Sequence, residues 1–186
     1  MSNRITKYHR DIAAYQDSLM RLNGRLLYTI SNLRSNTLYA GQTIKIDTLY
    51  QYRNKEMKLF PRHELFQGNE IFVIRYNPRG CNSCISLLFR NQKFLDKMLS
   101  KIKVYVLVDF KYSSEIEAFQ KENITNDVEF IWFNENRDIS EIDQSYNNKS
   151  YCFFMSKSGI IRSLFAPDYA YAEDINHYVD LQFQSN

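Results

Sequence analysis

Glu70-Ile71-Phe72-Val73-Ile74-Arg75-Tyr76-Asn77-Pro78-Arg79-Gly80-Cys81-Asn82-Ser83-Cys84 decides how the rest of the chain is read. Its apolar run, Ile71 to Ile74, is short, β-branched and aromatic, which fits a buried strand. Asn77, Pro78 and Gly80 stop that strand. Beyond the turn, Ile85, Leu87, Leu88, Phe94, Leu95, Met98 and Leu99 recur at helical spacing, so one helix is expected from the cysteines to Ser100. Two thiols three positions apart at a helix start lie about one turn apart, close enough to join in a small ring. The positive end of the helix stabilises a thiolate on the first of them. Cys81 and Cys84 therefore have a redox geometry.

The same spacing serves other chemistry. Two such thiols are half of a zinc site, but the chain offers only Cys152, His9, His63 and His177, at scattered places, for the other half. No metal is expected. An inert local disulfide, or a pair of spare thiols, stays open. No Gly-x-Ser-x-Gly, Gly-x-Gly-x-x-Gly or Gly-Lys-Ser/Thr stretch exists, and Glu115, Glu117, Glu122 and Asp127 read as solvated positions.

A chain of 186 residues can hold one domain with a full core plus an appendage. Its net charge of +3, from 24 basic and 21 acidic residues, gives no sign of a polyanionic partner. The 14 Tyr and 13 Phe are not interleaved with a basic stripe, so no nucleic-acid partner is expected. With 5 Gly and 3 Pro, long flexible linkers are not expected. Three cysteines neither mark a disulfide-rich scaffold nor fix the compartment. No run approaches the apolar length of a membrane span, and no secretory-leader pattern opens the sequence, although a removed leader stays open.

Two domains are expected, residues 1–35 and residues 36–186. In the first, Ile5, Tyr8, Ile12, Tyr15, Leu19, Leu22, Leu26, Thr29 and Leu33 are spaced alternately by three and four, a heptad seam weakened by Gly24 and Thr29. It reads either as a self-associating stalk, giving a homo-oligomer through residues 5–33, or as an amphipathic helix lying on its own domain. In the second, Gln42 to Asp47 alternates like an edge strand, and Met57 to Leu65 holds another extended piece around Pro61. Lys103 to Asp109 and Val128 to Phe133 read as buried strands, with a helix capped by Ser113-Ser114 between them. Asn136 to Asn148 is polar and reads as loop or a weak helical turn. Ser150 to Met155 and Ile160 to Phe165 flank Ser156-Lys157-Ser158-Gly159 as a hairpin, and Tyr171 to Phe183 closes the chain as an amphipathic helix. The order β, α, β, α, β, hairpin, helix predicts an α/β fold, a mixed sheet with helices on both faces.

Strand, Cys-x-x-Cys and helix within an alternating β/α pattern resemble the thioredoxin superfamily. Within it, the chain is similar to the extracytoplasmic, often membrane-tethered thiol-disulfide oxidoreductases. The resemblance covers Thr43 to Phe183. Its second carrier is Tyr151-Cys152-Phe153-Phe154-Met155-Ser156-Lys157-Ser158-Gly159-Ile160-Ile161, which looks like the family's strand, turn and strand after a cis proline. The resemblance implies a thioredoxin-like fold, catalytic Cys81 and Cys84, a substrate-binding loop at Ser150 and Tyr151, and no organic cofactor. It also implies a protein thiol or disulfide partner and a periplasmic or other extracytoplasmic location, with a membrane tether outside this chain.

The sequence departs from the family at several positions. Ser150 stands where the proline falls, and a cis bond before a non-proline residue costs about 2.5–4 kcal/mol, so Lys149-Ser150 is expected to be trans. Gly80 replaces the usual aromatic, and Asn82-Ser83 the usual Gly-Pro. Counting back six residues from Cys81 reaches Arg75 where thioredoxin has a buried acid. A guanidinium near the sulfurs would favour the thiolate, so Arg75 is a candidate tuning residue, unless it faces solvent or pairs with an acid. Cys152, on a neighbouring strand, is a second candidate, against the plainer reading of a small buried hydrophobe. Cys81, nearer the helix end, is expected to attack a partner disulfide and Cys84 to resolve the mixed disulfide. Two competitors are weighed. A peroxidase lacks its Pro-x-x-x-Thr-x-x-Cys arrangement here, and a catalytically inactive binding or assembly module would keep the cysteines as structural or vestigial groups.

Overall fold

The computed structural model describes residues 2–45, 49–53, 56–66, 68, 70–80, 82–110, 112–123, 128–133, 137–147 and 149–184. Residues Met1–Arg34 and Ser35–Asn186 form two compact units. The first is built on helix α1 (Ser2–Tyr39), whose seam residues Ile5, Tyr8, Ile12, Tyr15, Leu19, Leu22, Leu26 and Leu33 are all exposed in the single chain. The helix runs on past the expected boundary, and its last turn belongs to the second unit. There the Asn36 side chain donates to Leu164 O and accepts from Leu164 N, each at 2.6 Å.

The second unit holds a seven-stranded mixed sheet in the order β2-β1-β5-β4-β3-β6-β7. Next to its middle strand lies β3 (Glu70–Arg75), which contains the apolar run Ile71 to Ile74. It pairs in parallel with β4 (Lys103–Leu107) and antiparallel with β6 (Tyr151–Ser156). Parallel β5 (Glu129–Phe133) and antiparallel β1 (Leu49–Arg53) and β2 (Glu56–Phe60) extend one side; antiparallel β7 (Ile161–Phe165) closes the other. Parallel neighbours need helical crossovers, and these cover the sheet. Ile71 and Val73 point to one face, where they cluster with Tyr105, Leu107, Tyr151 and Phe153, and with Ile139, Ile142 and Tyr146. Phe72 points to the other face. There it meets Phe94 edge-on at 6.0 Å and lies 5.0 Å from Phe154. The α/β architecture with helices on both faces is the one expected.

Four local expectations are corrected. The helix after the cysteines is two helices, α3 (Asn82–Arg90) and α4 (Gln92–Leu99), because Asn91 leaves the helical conformation and its side chain caps the second by accepting from Phe94 N at 3.1 Å. The piece around Pro61 is half strand and half helical turn, with β2 ending at Phe60 just before the proline and the short α2 (Arg62–Leu65) starting just after it. The polar stretch read as loop or a weak helical turn is a full helix, α6 (Arg137–Ser145), held by Ile139 and Ile142, which are buried one turn apart, with Tyr146 just beyond. Of the expected edge strand Gln42 to Asp47, the described part is reduced to an isolated bridge of Thr43 to Ile160, with Ile161 N donating to Gln42 O and Ile44 N to Gly159 O, and residues 46–48 lie outside the described residues. The remaining helices are α5 (Ser113–Asn123), a single turn at Tyr169–Tyr171, and α7 (Glu173–Gln184).

Candidate redox site

The site grows from the end of β3. Tyr76 N donates to Leu107 O at 3.0 Å, and the chain then turns: Gly80 N donates to Asn77 O and Arg79 N to Asn77 Oδ1, both at 2.9 Å. Asn77 N donates to Ser150 Oγ at 3.0 Å. Helix α3 follows at once, and Cys84 in its first turn is buried and disulfide-bonded. Cys81 lies outside the described residues.

Arg75 is buried, and its charge is fully answered. Its Nε donates to Asp143 Oδ1 at 3.1 Å, and its Nη2 donates to Asp143 Oδ2 at 2.7 Å and to Asp109 Oδ2 at 3.1 Å. Burial alone would pull the guanidinium pKa down, but the hydrogen bond and charge of Asp143, with Asp109 beyond, hold it above its ordinary value. The ion pair means that the Arg75 charge meets Asp143 and Asp109 first. Asp143 and Asp109 also line a cleft of 380 Å³ with Asn77, Pro78, Arg79, Phe110 and Glu115.

The Lys149-Ser150 bond is trans, as its chemistry requires. The side chains of Ser150 and Tyr151, expected at a substrate-binding loop, both face the interior. Tyr151 pairs with Arg75 across the ladder and stacks on Tyr146 at 4.9 Å and 15°. Burial, then the charge of Asp143, pushes its hydroxyl well above the ordinary tyrosine range. Cys152 is a free thiol with no exposure, donating to Phe165 O at 3.3 Å, and burial pushes its pKa up. A protonated thiol held this way behaves as a small apolar group. Among the described residues, no group of three or more His, Cys, Asp or Glu could hold a metal ion.

Asp143 is the residue that sequence reasoning missed. Two signals bear on it: the spacing of Ile139, Ile142 and Tyr146, which makes a helix of the stretch, and the rule that a buried arginine is a paired one.

A central β3, a Cys at the start of the following helix, a crossover to β4 and the antiparallel β6–β7 hairpin with a closing helix together make a thioredoxin-like fold. No protein-family model and no curated protein sequence matches the chain. Solved structures do. An Aquifex aeolicus VF5 protein, provisionally described as an electron transfer protein, superposes with a TM-score of 0.51 at 17% identity, over 74% of this chain and 90% of its own. The thioredoxin domain of a thiol-disulfide oxidoreductase from Bacteroides vulgatus has a TM-score of 0.46 at 12% identity, over 75% and 97%. The reduced 2-Cys peroxiredoxin of Plasmodium vivax has 0.48 at 15%, over 79% and 98%.

Proposed function

We propose that the chain is a thiol-disulfide oxidoreductase that exchanges a disulfide with a protein partner through Cys81 and Cys84. The observation that carries this reading is the disulfide-bonded Cys84 in the first turn of α3, while Cys152, the third of three cysteines, is a buried free thiol. In the oxidising direction a partner thiolate attacks Cys81, Cys84 leaves as thiolate, and a mixed disulfide forms. The second partner thiolate then displaces Cys81, so the partner gains a disulfide and this chain holds two thiols. The reverse sequence reduces a partner. No cofactor enters either direction. Oxidation and reduction should shift the mass by about two protons. Cys81→Ser and Cys84→Ser should each abolish that shift, whereas Cys152→Ser should not. If both thiols stay freely alkylatable after mild oxidation, the reading is wrong.

A non-enzymatic binding or assembly module on the same fold is the second reading. It is favoured by the Ser150 hydroxyl, which is engaged inside the chain instead of facing a visiting peptide. Insulin-disulfide reduction by the wild type against Cys81→Ser separates the two. We also propose an extracytoplasmic location, with any tether outside this chain; among the described residues no helix is long and apolar enough to cross a membrane. Self-association through residues 5–33 completes the proposal, supported by a seam with the 3.5-residue period of supercoiled helices.

A further inference from the structure

Ser150 occupies a position that the reading above does not use. The last rung of the β3–β6 ladder is Arg75 opposite Tyr151. One step beyond it the two strands part, and Asn77 N would be left without a backbone acceptor; Ser150 Oγ takes that place at 3.0 Å, with both residues buried. The two oxygens of Asn77 are engaged in the turn itself, Oδ1 accepting from Arg79 N and the carbonyl from Gly80 N. The Ser150 hydroxyl thus ties the turn that ends at Cys81 to the sheet.

From this we infer that Ser150 is a positioning residue of the redox site, pinning the Asn77–Gly80 turn in the form that suits the closed disulfide and so biasing the Cys81/Cys84 couple toward it. The inference rests on the redox reading. The bond is present in a chain whose Cys84 is disulfide-bonded. Opening the Cys81–Cys84 bond removes a covalent closure adjacent in sequence to this turn, and on this proposal the turn's hydrogen bond and the state of the couple are linked. Coupling of this kind is reciprocal: whatever the bond adds to the disulfide form, the disulfide adds to the bond.

Equilibration with glutathione measures the couple, two glutathione thiols becoming one glutathione disulfide as the Cys81–Cys84 bond opens to two thiols. Ser150→Ala and Ser150→Val are expected to shift this equilibrium several-fold toward the dithiol, a tenfold shift being about 30 mV. Ser150→Thr keeps the hydroxyl and is expected to stay with the wild type. A merely structural role would lower the thermal midpoint of both redox forms alike and leave the equilibrium where it was. The wild type supplies a readout that needs no variant to fold: the Asn77 amide should exchange its hydrogen several-fold faster in the dithiol form. Unchanged equilibria in both hydroxyl-free variants, or equal Asn77 exchange in the two wild-type forms, overturn the inference alone. A wild type that does not equilibrate with glutathione overturns the redox reading, and this inference with it.

Discussion

Arg75 carries the buried charge of the site, and its energetics follow from its surroundings. A guanidinium removed from water costs several kcal/mol unless it is paired, and the two-point bond to Asp143 supplies the pairing. Both side chains are nearly out of solvent, at 5% and 12% exposure, so the loss of either partner strands the other. Arg75→Met is therefore expected to lower unfolding free energy by about 3–5 kcal/mol in urea titration, and Asp143→Leu by a similar amount. The double variant should be much closer to the wild type than the sum of the two, because two apolar groups leave nothing stranded. Additive losses would mean that the pair is not the unit of stability. The place of Cys84 in the first turn of a helix was legible, because Asn77, Pro78 and Gly80 stop the strand before it and the apolar spacing after it is helical. Asp143 was not: its role depends on a partner 68 residues away, which no local pattern encodes.

At the scale of elements, the hairpin β6–β7 turns at Gly159, which has φ +87° and would bring an added Cβ within 2.4 Å of Ile44 O. Both the backbone conformation and the close approach exclude a side chain. Gly159→Ala is expected to cost at least about 1–3 kcal/mol, read as a fall in the urea midpoint with an unchanged slope. That glycine was legible as a hairpin turn. Its contact with Ile44 was not, since the edge-strand pattern of Gln42 to Asp47 does not say which part of the sheet it lies against. Strands β3, β4, β5, β6 and β7 announced themselves by apolar runs too short for helices. Strand β1 did not, because Leu49-Tyr50-Gln51-Tyr52-Arg53 alternates too weakly for its pattern to stand out. Helix α6 was masked by its composition: Ile139 and Ile142 are its two aliphatic side chains among nine residues, and a helical period shows only when Tyr146, just past its end, is counted with them. The break at Asn91 was missed for the opposite reason, since the apolar spacing continues across it.

On the scale of the whole molecule, the exposed seam of α1 and the sheet unit are separate problems of burial. Leu19 and Leu26, at 47% and 56% exposure, lie in the middle of a stripe that a second copy would cover. Sedimentation equilibrium of the full chain should return about twice the 22.2 kDa chain mass, and Leu19→Lys with Leu26→Lys should return the single mass. A wild type that stays monomeric removes the self-association proposal and leaves the redox reading intact.

The rim of the sheet at β7 is already occupied. Gly41 N donates to Ile161 O, Ile161 N to Gln42 O and Ile44 N to Gly159 O, while Asn36 grips Leu164 from both sides. Open strands are templates for further strands, and among the described residues β2 is the strand that ends the sheet on the other side. Lys58 stands in the middle of that strand, exposed between Met57 and Leu59. Lys58 pairs with Glu56 at 3.1 Å, so both signs of charge line this outer strand, and charged side chains on an edge disfavour its pairing with a second copy.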